Sequence, residues 1–227
     1  MKARLVGSHE VAPRTRQFTF EADSPLVYEP GQFVSLVVEI GGKPITRAYS
    51  IASAPNGRRF DLCLNLVEDG ALSPYLFSLQ PGDELECKGP FGVFVFRKPL
   101  SDSILVATGT GITPYRAMLW ERLPLERERR FTLVFGARHP EGLLYRAEFE
   151  ELAKRFENFR FVPTLTRAGE AWAGRTGRVH AHVLEELGER RDVDVYICGM
   201  AEMVNELRTA LKEKGLDRKR IIVEKYD

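Results

Sequence analysis

Gly109-Thr110-Gly111-Ile112-Thr113-Pro114 has the residue types of a turn that holds a phosphate. It follows the apolar, β-branched run Ile104-Leu105-Val106-Ala107 and precedes Tyr115-Arg116-Ala117-Met118-Leu119-Trp120, which reads as an amphipathic helix. A strand, a glycine turn and a helix start together aim backbone N–H groups and a helix dipole at an anion. Glycine lets the backbone come close to such a ligand, because there is no Cβ in the way. The stretch is not the full dinucleotide fingerprint GxGxxG, and a tight strand-to-helix turn in any α/β domain uses the same residues.

A second set is Arg47-Ala48-Tyr49-Ser50-Ile51-Ala52-Ser53. Its guanidinium can pair with a phosphate, its ring can stack on a flat heterocycle and its hydroxyl can donate a hydrogen bond. Alternate strand residues share a face, so Arg47 and Tyr49 could address one ligand. The same residues also suit an ordinary strand with a surface arginine. A third feature follows the run Phe131 to Phe135, where the chain reads Gly136-Ala137-Arg138. A fold selective for NAD offers an acid at this point for the ribose 2′-OH, whereas an arginine suits a 2′-phosphate.

The elements that must position these residues divide into two kinds. Residues 1 to about 99 read as all-β. Arg14 to Glu21 alternates, Phe33 to Ile40 is a strongly β-forming run, and turns are marked at Glu29-Pro30-Gly31, Gly41-Gly42-Lys43-Pro44, Pro55-Asn56-Gly57 and Pro81-Gly82-Asp83. Short strands at this spacing predict a small antiparallel barrel. One helical segment interrupts it, Ser73 to Leu79, with Ser73 as the expected N-cap and Pro74 at the first helical position.

The pattern changes at Lys98-Pro99-Leu100-Ser101-Asp102, so the expected domains are 1–99 and 100–227. Beyond this boundary strands are expected at Ile104–Ala107, Arg130–Gly136, Arg160–Leu165, Val193–Cys198 and Arg220–Glu224. Helices are expected at Tyr115–Arg122, Tyr145–Phe156, His180–Leu187 and Glu202–Lys214. That alternation implies a doubly wound, mainly parallel α/β sheet with its ligands beyond the carboxyl ends of the strands. The predicted fold class is thus an antiparallel barrel followed by a doubly wound, parallel-sheet α/β domain.

Composition narrows the classes of function. The 227 residues suffice for one large or two modest domains, and 44% hydrophobic with 29% charged residues is ordinary for a globular chain. Lys+Arg 33 against Asp+Glu 32 leaves a net charge of +1, so nothing global points to nucleic acid. No apolar run approaches the ~18 residues that span a bilayer, and MKARLVGSHE lacks the apolar core of a signal peptide. Three scattered cysteines (Cys63, Cys87, Cys198) argue against a disulfide framework or an iron–sulfur cluster. His180 and His182 have no further ligand nearby in sequence, so no metal site is expected. The expected location is the reducing cytoplasm.

RAYSIAS resembles the RxYS flavin motif of the ferredoxin–NADP reductase superfamily. Asp69 to Leu76 and Leu79 to Glu84 resemble the bacterial flavodoxin/ferredoxin reductases closely. Gly89-Pro90-Phe91-Gly92, the ATGTGITP stretch, Cys198-Gly199-Met200 and Val223-Glu224-Lys225-Tyr226 follow in family order. The resemblance runs nearly end to end and implies an FAD-binding barrel followed by a pyridine-nucleotide domain.

By position, Arg47 would bind the flavin pyrophosphate, Tyr49 would flank the isoalloxazine and Ser50 would hydrogen-bond near flavin N5. Leu72 and Ser73 would place backbone N–H groups and a hydroxyl on the pyrophosphate. Thr110 and Gly111 would sit under the nicotinamide nucleotide, and Cys198 with Glu224 would hold the nicotinamide over the flavin. The implied catalytic residues are therefore Ser50, Cys198 and Glu224. The wider cofactor-contacting set adds Ala48, Asn65, Leu66, Val67, Gly70, Ala71, Gly109, Thr113, Pro114, Thr166, Gly199, Met200, Met203 and Tyr226. Arg167, after Thr166, and Arg178 match two further arginines of bacterial NADP-preferring relatives and join Arg138 as expected ligands of a 2′-phosphate. Alternatively Arg138, Arg167, Arg175 and Arg178 are scattered surface charges.

The implied chemistry is hydride exchange between NADP(H) and FAD, followed by electron delivery to ferredoxin or flavodoxin. The flavin carries the hard step, with donor and acceptor atoms at ~3–3.5 Å. The Trp172-x-Gly174-Arg175-Thr176-Gly177 stretch is shared with oxygenase reductases that use NADH, so the reductase component of an oxygenase, or a reductase of free flavin, is the competing enzyme reading. An electron-transfer subunit without turnover is the non-enzyme reading. Such subunits of dihydroorotate dehydrogenase carry a C-terminal cysteine cluster that is missing here. Two departures from the family stand out. In family members that end in an aromatic residue that ring packs on the flavin or its adenine, whereas here Tyr226 is followed by Asp227. No ferredoxin domain is appended, so the acceptor would be a separate molecule.

Overall fold

The computed structural model describes Met1–Tyr226, and Asp227 lies outside the described residues. By its contacts the chain divides into two units, Met1–Phe96 with Thr113–Glu121, and Arg97–Ile112 with the chain from Arg122 onward. The division falls inside the GTGITP stretch.

In the first unit, period-two burial builds the sheet. Strands β1 (Lys2–Ala12), β2 (Thr15–Ala22), β3 (Phe33–Ile40), β4 (Lys43–Ser50), β5 (Arg59–Asn65) and β6 (Glu84–Phe91) pair antiparallel in the order β4-β3-β6-β1-β2-β5. Along β3, Val34, Leu36 and Val38 are buried; along β2, Phe18, Phe20 and Ala22 are buried. Phe20 stacks on Phe60 of β5 at 5.7 Å between centroids. Each of these Val, Leu and Phe side chains contributes about 1.5–3 kcal/mol by leaving water. The ends of the sheet meet just past β4, where Ile51 bridges Leu62 and the Ala52 N–H donates to the Asp61 carbonyl at 2.8 Å. That contact brings the two end strands together, as the expected barrel requires.

The short helix α1 (Ser73–Ser78) corrects one expectation. Ser73 is its first helical residue, and Leu72 occupies the N-cap without any side-chain cap. The Ser73 hydroxyl turns back instead, accepting from the Val67 N–H at 2.9 Å and donating to the Val67 carbonyl at 3.1 Å. Burial of Ser73 directs its hydroxyl into the 65–73 loop rather than to the helix end.

Helix α2 (Thr113–Arg122) also differs from the amphipathic helix expected. Thr113, Pro114, Tyr115, Ala117, Met118 and Leu119 are all buried, so most of its circumference is covered. Within the first unit its Arg116 forms an ion pair with Asp61 of β5 at 3.2 Å and donates to the Ala52 carbonyl at 3.0 Å. The Asp61 carboxylate also accepts from Thr19, and the Asp61 N–H donates to Ser53. Both members of the pair are largely covered (15% and 17% side-chain exposure), and these hydrogen bonds offset the desolvation of their charges.

The second unit is an all-parallel sheet. Strands β7 (Ser103–Thr108), β8 (Phe131–Ala137), β9 (Phe159–Leu165), β10 (Arg175–Thr176), β11 (Asp194–Met200) and β12 (Ile221–Tyr226) lie in the order β10-β9-β8-β7-β11-β12. Helices α3 (Arg146–Arg155), α4 (Val179–Leu187) and α5 (Ala201–Glu213) connect them. Alpha-helical spacing puts Met203, Val204, Leu207 and Leu211 of α5 on its buried face. The chain steps outward from β7 through β8 and β9, then returns to place β11 on the other side of β7. In such sheets ligands bind at this switch point, outside the carboxyl ends of the strands.

Two strands end two residues later than expected. β11 continues to Met200 and β12 to Tyr226, because the parallel register holds through Cys198↔Glu224, Gly199↔Lys225 and Met200↔Tyr226. Cys198 therefore sits inside its strand rather than at its end. No helix of the described residues is long and apolar enough to cross a membrane.

Candidate functional site

On the barrel, strand pairing fixes the RAYS residues. β3 and β4 run in the register Leu36↔Arg47, Val34↔Tyr49 and Phe33↔Ser50. Residues opposite one another share a face, so Arg47 and Tyr49 lie with Leu36 and Val34, while Ala48 and Ser50 lie on the other face. Arg47 is exposed and donates to the Thr46 carbonyl at 2.8 Å. Tyr49 is half-buried against the barrel core, and burial pushes its phenol up to about 12, so the ring is neutral. Ser50 is buried. An exposed guanidinium beside a half-covered aromatic on one strand face suits a flat ring joined to a pyrophosphate.

The neighbouring 65–73 loop is held by its own groups. Asn65 accepts from the Thr15 hydroxyl at 2.7 Å, the Leu66 N–H reaches the Arg14 carbonyl, and the Gly70 N–H reaches the Val67 carbonyl. Val67 and Ala71 are exposed and Leu72 is buried. With its hydrogen committed to Val67, the Ser73 hydroxyl shapes this loop.

At the sheet, Gly109–Ile112 forms a 3-10 turn directly after β7. Its two glycines do different work. Gly109 has φ +55°, and a Cβ there would meet nothing within 4 Å. At Gly111 a Cβ would lie 2.4 Å from the Cys198 carbonyl oxygen. Glycine at 111 is thus demanded by packing of the turn on β11, and only Gly109 faces open space. Gly199, at φ +152°, repeats the device from the other strand, because its Cβ would lie 2.6 Å from the Thr108 hydroxyl. Thr110 is half-buried, whereas Thr113 and Pro114 are buried at the start of α2.

Cys198 is fully buried (0% exposed) between Ala107 of β7 and Glu224 of β12. Its thiol is pushed well above the usual range, first by burial and then by the Glu224 charge, with a hydrogen bond from Tyr226 acting against both. The thiol is therefore neutral, a hydrogen-bonding group and not a nucleophile. Met200 is exposed, and Met203 is buried at the start of α5.

Backbone hydrogen bonds join the ends of β8, β9 and β10. The Thr166 N–H donates to the Ala137 carbonyl, Arg167 to Arg138 at 2.8 Å, and Gly177 to Leu165 at 2.8 Å. Arg138 and Arg167 accordingly leave adjacent strand ends side by side. Arg178 follows in the next turn, with its guanidinium paired to Glu206 at 3.3 Å. Arg175 forms ion pairs with Glu185 and Glu186. Sequence spacing gave no sign of the Arg116–Asp61 pair or of Glu206, since each meets its partner only through the fold. Among the described residues no group of three or more His, Cys, Asp or Glu could hold a metal ion.

An FAD-type barrel face and a nucleotide-type switch point on one chain define a class, the oxidoreductases that join a flavin domain to a pyridine-nucleotide domain. Comparison with known proteins agrees. Residues 2–96 match the oxidoreductase FAD-binding domain and residues 105–209 the oxidoreductase NAD-binding domain. The chain is 43% identical to ferredoxin–NADP reductase B of Sorangium cellulosum, over 100% of this chain and 97% of that protein. It is 32% identical to the glycine betaine monooxygenase reductase subunit of Pseudomonas aeruginosa, over 90% of this chain but 58% of that longer protein. Among solved structures, the cytochrome P450 reductase GcoB of Amycolatopsis superposes with a TM-score of 0.91 at 29% identity, over 99% of this chain and 69% of that one. The chain belongs to the ferredoxin–NADP reductase family of oxidoreductases.

Proposed function

We propose that this oxidoreductase passes hydride between NADP(H) and FAD and delivers electrons to a separate ferredoxin or flavodoxin in the cytoplasm. Residues 1–99 would carry the flavin and 100–227 the nucleotide. The observation that carries the choice of nucleotide is the end of β8. An arginine, Arg138, stands there in place of an acid, with the backbone of Arg167 hydrogen-bonded beside it. A ribose 2′-OH calls for a carboxylate, whereas a 2′-phosphate dianion is matched by guanidinium forks. Identity to a reductase named for NADP supports the same choice.

Arg47 would hold the flavin pyrophosphate and Tyr49 would flank the ring system. Ser50 would hydrogen-bond near the reacting edge, and backbone N–H groups of the 65–73 loop would complete the phosphate cradle. Bound FAD supplies the hydride-accepting ring and the release of electrons to an acceptor. Gly109, Thr110 and Gly111 would seat the nicotinamide nucleotide. The neutral Cys198 thiol and Glu224 would orient the nicotinamide without taking part covalently, and Tyr226 reaches the same thiol.

Arg138→Ala is expected to raise KM for NADPH about 10- to 100-fold, the loss of one charge-assisted contact, and to change KM for NADH by less than about twofold. Steady-state kinetics with both nucleotides checks this; equal changes would remove Arg138 from the 2′-phosphate site. Transfer to a panel of ferredoxins and flavodoxins tests the acceptor. A second reading, an NADH-dependent reductase component of an oxygenase, is favoured by the engagement of Arg178 with Glu206 and by the identity to the glycine betaine monooxygenase reductase subunit. It predicts transfer to an oxygenase and not to that panel.

A further inference from the structure

One charged contact at the carboxyl ends of the strands is not accounted for by packing or by flavin binding. Arg178, the N-cap residue of α4, places Nη1 3.3 Å from Oε2 of Glu206 on α5. The same carboxylate oxygen lies 3.4 Å from Nε2 of His180. The side chains of Arg178 and Glu206 are 70% and 45% exposed, so the pair adds little to stability. Burial, the largest influence on His180, lowers its pKa, so at neutral pH the imidazole is uncharged and Arg178 is the cation that faces Glu206. Val179, next to Arg178, packs against β8, since a Cβ on Gly136 would lie 2.6 Å from its Cγ1. Together with the Gly177–Leu165 and Arg167–Arg138 hydrogen bonds, this places the Arg178 turn beside the strand ends that carry Arg138 and Arg167.

A guanidinium held by a carboxylate must leave it before it can fork onto a phosphate. We propose that Glu206 is a specificity-determining residue, which competes with the 2′-phosphate of NADP(H) for Arg178 and so narrows the preference for NADP(H) over NAD(H). It acts through Arg178, and the proposal rests on the reading of Arg178 as a 2′-phosphate ligand.

Calorimetric titration of the flavin-loaded protein with adenosine 2′,5′-bisphosphate and with 5′-AMP tests it apart from turnover. Glu206→Gln is expected to tighten the bisphosphate about two- to fivefold, the scale of an exposed ion pair, and to leave 5′-AMP unchanged. Arg178→Ala is expected to weaken the bisphosphate, and adding Glu206→Gln to it should then change nothing. Tightening that persists without Arg178 overturns the proposal, as does an unchanged Glu206→Gln protein while Arg178→Ala still weakens binding. Both of these outcomes leave the arginine reading standing. If Arg178→Ala has no effect, the arginine reading itself falls, and the proposal with it.

Discussion

Arg47→Ala protein is expected to purify with little flavin, and its apparent Kd for FAD to rise about 10- to 100-fold. That range is the loss of a charge-assisted hydrogen bond to a phosphate, about 1.5–3 kcal/mol, at 1.36 kcal/mol per tenfold. The register Leu36↔Arg47 and Val34↔Tyr49 sets the arginine beside the half-buried ring, and its guanidinium donates to the adjacent Thr46 carbonyl. Arg47 is exposed and outside the barrel core, so the apoprotein should melt at the wild-type temperature. Arg47→Lys is expected to recover part of the affinity, because an ammonium restores the charge but not the bidentate fork. FAD titration of apoprotein, followed alongside the thermal melt, separates these effects. Wild-type affinity in Arg47→Ala would detach Arg47 from the flavin.

Gly111→Ala is expected to slow flavin reduction by the nicotinamide nucleotide at least about 100-fold, while flavin content stays near that of the wild type. The new Cβ would fall 2.4 Å from the Cys198 carbonyl oxygen, so the turn, the end of β11, or both must move. Overpacking of this kind costs about 1–3 kcal/mol of stability, and a displacement near 1 Å in a positioning element can cost about 100-fold in rate. Gly109→Ala provides the contrast. Space is open there, and the cost is the left-handed backbone at φ +55°, about 1–2 kcal/mol for a residue with a Cβ. It should retain most of the rate. Stopped-flow reduction of the two variants decides the matter, and a Gly111→Ala rate within about threefold of wild type would show that the turn does not position the nucleotide.

What the sequence disclosed, it disclosed through local periodicity. Phe33–Ile40 reads as a strongly β-forming run and is β3 to the residue, and the strand–helix alternation after Pro99 is the parallel sheet observed. Family order of short motifs named the class before any geometry was known. The features it hid depend on groups far apart in the chain. Ser73 has the composition of a cap, yet its hydroxyl serves the Val67 backbone, which only the fold of the 65–73 loop brings near. Gly111 reads as a ligand-approach glycine, yet the atom that forbids its Cβ belongs to Cys198 on another strand. Arg116 finds Asp61 at a separation of 55 residues, and Arg178 finds Glu206 at 28. Cys198 lies inside a strand because β12 continues to pair with β11 as far as Tyr226. Spacing within one element carries none of these contacts.

The central claim is a flavin reduced by NADPH in preference to NADH. Anaerobic rapid mixing of the purified, FAD-loaded protein with each nucleotide tests it most directly. The arrangement of Arg47 and Tyr49 on the barrel, with Arg138 and Arg167 at adjacent strand ends, predicts a yellow protein that NADPH bleaches faster than NADH. A colourless protein that FAD does not restore would contradict the flavin assignment, and equal bleaching by the two nucleotides would contradict the arginine assignment.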